Sequence, residues 1–207
     1  MAASKSGFMK DALILFAITL VSGACLGFVY DLTKGPIEQA TIAKNNRTYQ
    51  EVLSVANTFT EVEGSVEKIA EMTESGELTG LGFGGIEIES VLAGSDASGA
   101  VVGHVVNSLS NDSYGGAVKI SVGFDAEGTI TGVGIREISD TPGLGLKAKE
   151  PEFKDQYIGK NAESLVVTKM GASADNEIDA ISGATVTSSA VTNAVNAALY
   201  YLHNHLN

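Results

Sequence analysis

The sequence predicts an α+β fold: a single N-terminal transmembrane helix, then a domain whose twisted, largely antiparallel sheet is flanked by helices. Three patterns predict it. Ala12 to Tyr30 is an uncharged, mostly apolar run, and about 20 such residues span a bilayer as a helix. Between Ile86 and Ile138, β-branched runs take over from the helical pattern, with turn residues between them. Near the C-terminus, Val191, Ala194, Val195, Ala198, Leu199 and Leu202 recur at the i, i+3, i+4 spacing of an amphipathic helix.

Lys5 and Lys10 precede the apolar run, Asp31 follows it directly, and Lys34 comes shortly after. That asymmetry predicts a cytoplasmic N-terminus, with Tyr30 at the far interface and everything after residue 31 outside the cytoplasmic membrane. The run exceeds the apolar core of a typical signal peptide, so it reads as a retained span. Cys25 ends a lipoprotein-like Val-Ser-Gly-Ala-Cys, but Ser22 stands where that box expects Leu, so Cys25 reads as a small membrane residue. Gly35-Pro36 is expected to break the helix, and Ile37 to Val55 has helical composition. Glu61 to Glu77 is strongly acidic and reads as solvated surface with one short helix. The division is therefore 1–11 cytoplasmic, 12–30 transmembrane, 31–57 membrane-proximal helix and 58–207 extracytoplasmic domain.

Four runs predict the sheet: 86–92, 101–106, 117–124 and 129–138. Asp125-Ala-Glu-Gly128 joins the last two as a hairpin turn. His104 lies within a strand and reads as structural. Ser139-Asp140-Thr141-Pro142-Gly143-Leu144-Gly145 then forms a tight loop, whose backbone N–H groups can approach a planar ligand or a phosphate. Pro151 to Tyr157 reads as a short helix with Pro near its start, and Leu165 to Thr168 as a strand. Asp179-Ala-Ile-Ser-Gly-Ala-Thr185 precedes the terminal helix. Ser182 or Thr185 can cap that helix, and its N-terminus suits a phosphate. Asp179 reads as an acid near the helix start.

Composition narrows the function. The net charge of −12 over 207 residues argues against nucleic-acid binding. A single Cys excludes an internal disulfide, a Cys-based zinc site and a self-contained iron–sulfur cluster. Redox work by this chain would need an organic cofactor, and no metal site is expected.

Asp-x-x-Ser-Gly-Ala-Thr at 179–185 resembles the flavinylation motif of membrane-bound FMN-binding subunits. These are the G subunit of the Rnf complex (the ion-pumping ferredoxin:NAD oxidoreductase) and the C subunit of the sodium-pumping NADH:quinone oxidoreductase. The loop at 140–145 resembles their Glu-Thr-Pro-Gly-Leu-Gly, with Asp140 in place of Glu, and Tyr114-Gly-Gly116 resembles their Gly-rich lead-in to the third strand. The resemblance covers essentially the whole chain. It implies an electron-transfer subunit with covalent FMN as a phosphoester on Thr185. Ser182, Gly183, Ala184, Thr141, Gly143, Leu144 and Gly145 would contact the cofactor. It also implies partner subunits in the membrane and at its surface, with ferredoxin:NAD oxidoreduction coupled to Na+ or H+ translocation. Thr hydroxyls are weak nucleophiles without an activating group. No His or Cys adjoins Thr185, since the histidines are His104, His203 and His205. The chain is therefore not expected to modify itself, and the resemblance implies a separate flavin transferase, with Asp179, which matches the motif's acidic residue, assigned to its recognition. Chain length favours the Rnf protein over its larger quinone-reductase counterpart. Two further readings stay open: a membrane-anchored binding or assembly module without cofactor, and a flavinylated domain serving extracellular electron transfer outside any pump.

Overall fold

The computed structural model describes residues 5–206. The chain divides into two compact units, residues 1–44 and 45–207. Helix α1 runs from Lys5 to Val52 over 48 residues, so the break expected at Gly35-Pro36 is absent. A proline forfeits one intrahelical N–H bond, and here the turns on either side continue. Within α1, Met9–Lys34 is long and apolar enough to cross a membrane, and none of it is buried. Residues 1–4 of the expected cytoplasmic segment lie outside the described residues.

The second unit is built on a five-stranded antiparallel meander, β1(Thr58–Glu61), β2(Ile86–Ser95), β3(Val101–Ser113), β4(Gly116–Asp125) and β5(Ile130–Ile138), ordered as in the sequence. The expected strands are all present, and β2 and β3 are longer than their apolar runs. Strand β1 was not expected: four largely exposed residues show no alternation. Helices α2(Ser65–Ser75) and α3(Glu77–Gly80) fill the acidic stretch between β1 and β2. The β4–β5 turn is held by Asp125, whose carboxylate accepts the N–H groups of Glu127 (3.1 Å) and Thr129 (2.8 Å). His104 is half-buried on β3, opposite Ala93 and Phe124, where burial pushes its pKa down.

After β5 come a 3₁₀ turn (Gly145–Lys149), α4(Pro151–Lys154) with Pro151 at its start, β6(Val166–Thr168), β7(Glu177–Asp179) and α5(Thr185–Tyr201). Helix α5 covers one face of the meander. Val106, Ile120, Val122 and Phe124 meet Val191, Ala194, Val195, Ala198 and Leu199 in one core. Within it the Ser108 hydroxyl donates to the Ala194 carbonyl (2.9 Å), as a buried hydroxyl must find a partner.

The opposite face is made for close approach. Opposed pairs Gly94–Gly103 and Gly123–Gly132 leave a hollow in which the end of α1 and the residue after it sit. A Cβ at position 132 would stand 2.9 Å from the Val52 Cα, one at 94 would stand 2.6 Å from a Leu53 methyl, and one at 123 would overlap the Val52 carbonyl. Thr131 donates its hydroxyl to that carbonyl. Beside it, Asn107 donates to Tyr49 Oη (3.0 Å) and Ser90 Oγ (2.9 Å) and accepts from Ser121 Oγ (2.6 Å), a buried polar set with all members paired.

Candidate functional site

Two loops far apart in sequence meet at the start of α5, and each turns on a glycine. In the first, the Leu144 N–H reaches the Thr141 carbonyl (3.2 Å), with Pro142 and Gly143 between them and Gly143 at φ 76°. In the second, the Ala184 N–H reaches the Ile181 carbonyl (2.9 Å) across Ser182 and Gly183, with Gly183 at φ 77°. Both match the type II turn, whose third residue needs a positive φ. The turns touch: a Cβ on Gly183 would lie 3.1 Å from a Leu144 methyl.

Asp140 fastens them together. This residue is 8% exposed. Its carboxylate accepts from Ser113 Oγ at the end of β3 (2.8 Å), Thr187 Oγ1 in the first turn of α5 (2.6 Å) and the Thr141 N–H (3.0 Å). Gly145 packs so closely that a Cβ there would overlap the carboxylate. Burial works to raise the Asp140 pKa, but the bonds from Thr187, Ser113 and the Thr141 and Gly115 N–H groups outweigh it and hold the group below the usual carboxylate range. Its acceptor capacity is spent within the protein.

Neither Ser182 nor Thr185 caps α5. The cap position falls to Ala184, which lacks a side-chain acceptor, and Thr185 is the first helical residue. The Ile181–Ala184 turn causes this, by leaving Ser182 exposed at its corner. Ser188 does the fastening from within the helix: its hydroxyl accepts the Ile181 N–H (2.9 Å) and donates to the Ala184 carbonyl (3.0 Å). The first intrahelical N–H bond is Ser188 to Ala184, so the N–H groups of Thr185, Val186 and Thr187 have no acceptor within the helix. Asp179 is not at the helix start either. It ends β7, opposite Thr168, and its carboxylate accepts the Ala172 N–H (2.6 Å). The Ile181–Ala184 turn separates strand from helix, and it is strand β7 that the sequence does not reveal.

The cleft so formed measures about 550 Å3. It is lined by Thr141, Leu144 and Gly145 of the first loop, Gly183, Ala184 and Thr185 of the second, and Tyr114, Asp140, Val186 and Thr187. All the predicted contact residues except Gly143 and Ser182 line it. Gly143 lies in the turn beside it, and Ser182 lines an adjoining cleft with Thr185. Asp140 and Tyr114, both singled out by the resemblance, line it too, and two further residues complete the wall. Val186 and Thr187 follow the motif without any signal of their own. Tyr114 is the corner of a two-residue hairpin between Ser113 and Gly116, and that spacing is legible. Tyr114, Leu144 and Val186 are large apolar side chains left exposed here. Thr185 is half-buried at the end where the unpaired N–H groups lie. An apolar wall with free donors at one end suits a ligand with a flat apolar body and an anionic tail. No group of three or more His, Cys, Asp or Glu that could hold a metal occurs among the described residues.

Comparison with known proteins agrees with this geometry. Residues 113–200 match an FMN-binding domain and residues 4–52 match the RnfG N-terminal region. The fold is similar to that of the C subunit of the Na+-translocating NADH-quinone reductase from Parabacteroides distasonis (TM-score 0.55, 20% identity, 82% of this chain and 95% of that one). The chain is 30% identical to the G subunit of the ion-translocating oxidoreductase complex of Methanosarcina acetivorans, over 93% of each chain. It is 36% identical to the G subunit of the Na+-translocating ferredoxin:NAD+ oxidoreductase complex of Acetobacterium woodii, over 94% of this chain and 91% of that one. The chain therefore belongs to the RnfG family, the G subunits of the ion-translocating oxidoreductase (Rnf) complexes.

Proposed function

We propose that this chain is an electron-transfer subunit with FMN joined through a phosphoester to Thr185 Oγ1. It would work within a membrane complex coupling ferredoxin:NAD oxidoreduction to Na+ or H+ translocation. The observation that carries the attachment is the convergence of the Thr141–Gly145 and Ser182–Thr185 turns on one cleft that ends at the Thr185 hydroxyl. The residues fit the cofactor. Exposed Tyr114, Leu144 and Val186 offer apolar contact for a ring system, and the N–H groups of Thr185, Val186 and Thr187 offer donors for a phosphate. Bound FMN supplies the junction between two-electron and one-electron carriers.

The chain's own part is to hold and orient. Asp140 fixes the distance between the two turns, and because its oxygens are already taken it competes for no ligand donor. Leu144 lies so near Gly183 that even a Cβ there would crowd its methyl, which closes the wall between the turns. Thr185 Oγ1 supplies the ester oxygen: its O–P bond replaces the pyrophosphate bond of FAD, with AMP and the hydroxyl proton leaving. No His or Cys lines the cleft, so the activating base belongs to a flavin transferase, with exposed Asp179 available for its recognition. The apolar span Met9–Lys34, with Lys10 near its start, supports a single-pass anchor in the cell membrane with a cytoplasmic N-terminus and domain 58–207 outside. Oxidoreduction of ferredoxin and NAD then falls to partner subunits.

Thr185→Ala tests the attachment. Flavin fluorescence in the denatured gel band should disappear in this variant and persist in Thr187→Ala and Thr192→Ala. A fluorescent Thr185→Ala band would move the attachment elsewhere.

A further inference from the structure

Thr185 borders a second opening besides the apolar cleft. This smaller cleft, about 380 Å3, is lined by Lys169, Ala180, Ile181, Ser182, Gly183 and Thr185. Among the described residues lining either cleft at Thr185, Lys169 is the only cation. Its place there follows from the pairing of two short strands. Strands β6 and β7 pair in parallel, Thr168 against Asp179, so the residues that follow, Lys169 and Ala180, emerge side by side. The Ala180 N–H binds the Thr168 carbonyl (2.8 Å) and extends that register by one step. Parallel strands ordinarily need a crossover of about a dozen residues or more. Here only 169–176 connect them, and carboxylates hold this short connection in shape. Glu177 accepts from the Ser173 N–H (2.7 Å), Ser173 Oγ (3.1 Å) and the Ala174 N–H (3.1 Å), and Asp179 accepts from the Ala172 N–H. On the other side, Asn196 of α5 exchanges two hydrogen bonds with the Leu165 backbone (2.8 and 2.9 Å) and pins the start of β6 to the core.

We propose that Lys169 is a phosphate-binding residue, whose ammonium is the counter-charge to the phosphoester on Thr185, and that Asp179 positions it by holding the 169–176 loop. The role rests on the flavin reading of the site. In a chain of net charge −12, a further anion needs a nearby cation to offset repulsion, and the free N–H groups of α5 carry only partial charge. Asp179 thereby acts on the site through its backbone partner Ala172, whether or not a transferase also reads it.

The test separates phosphate from ring binding. Full-length Thr185→Ala chain, unable to form the ester, is titrated with FMN and with riboflavin, which lacks the phosphate. Adding Lys169→Gln should weaken FMN binding about tenfold, the worth of a charge-assisted hydrogen bond, and leave riboflavin binding unchanged, while Lys169→Arg should retain FMN binding. Equal loss of both ligands, or no loss, overturns the role. Flavinylation of otherwise wild-type chain by transferase and FAD gives a second readout. Lys169→Gln should slow the initial rate about tenfold at limiting FAD, and an unchanged rate with flavin mapped to Thr185 would also overturn the role. Flavin mapped to another residue would overturn the attachment and this role with it.

Discussion

Asp140→Ala should loosen the whole site, and the size of the effect follows from what the carboxylate holds. Two side-chain donors, Ser113 Oγ and Thr187 Oγ1, and the Thr141 N–H all point at a residue that is 8% exposed. Removing the acceptor leaves them facing a void, where a buried unpaired donor costs about 1–3 kcal/mol. The hydroxyls can swing to other acceptors and water can enter from the cleft, so the sum is nearer the lower bound, about 3–4 kcal/mol. Typical domain stability is roughly 5–15 kcal/mol, so the variant should fold with a much lower urea midpoint. Tyrosine fluorescence can follow it, as the chain has no Trp. Asp140→Asn keeps the shape but turns one acceptor into a donor, and should lose about 1–2 kcal/mol. The acid limb adds an independent sign. A carboxylate held below its ordinary pKa contributes stability above the unfolded-state pKa and loses it as pH falls through the folded-state value. Asp140→Asn should therefore flatten the decline in stability below the ordinary carboxylate range. A loss under about 0.5 kcal/mol in Asp140→Ala, the level of an ordinary surface change, would refute the clasp.

The other expectations are shorter. Thr185→Ala should change stability by less than about 0.5 kcal/mol, because Thr185 caps nothing; a urea midpoint far from wild type would show that the residue bears structural load. Gly123→Ala should cost about 1–3 kcal/mol by overpacking against the Val52 carbonyl, and a neutral result would mean that the end of α1 is not seated on the sheet. Protease added outside intact spheroplasts should degrade the C-terminal domain, and full protection would reverse the topology.

How much of this could be read from the sequence depended on the range of the cause. The span, the four longer strands and α5 each announce themselves by a local period. The signature loops were equally legible, since Pro142-Gly143 and Ser182-Gly183 dictate their turns wherever they occur. Strand β1 was too short to show a period. The N-cap expectation failed because Ser and Thr are good caps in general, while here the turn at Ile181–Ala184 decides which residue lands at the boundary. Asp179 was misplaced for a related reason: distance along the chain from α5 does not reveal β7. The clasp at Asp140 and the neighbourhood of Lys169 depend on partners 47 residues away (Thr187) or on a parallel pairing, and no local pattern encodes those.

The Asp179–Thr185 stretch owes its shape to groups outside itself. Ala180 hangs on Thr168, Asp179 on Ala172 and Ile181 on Ser188. In an unfolded chain the same seven residues would be a featureless peptide. On the proposed reading, a transferase that reads this shape would modify finished domains and pass over nascent or misfolded ones. Biogenesis would then have an order, with export and folding first and loading last. A fluorescent band on a gel would then be a tally of molecules that folded correctly, and underloaded preparations would point to a folding defect before they point to a shortage of flavin.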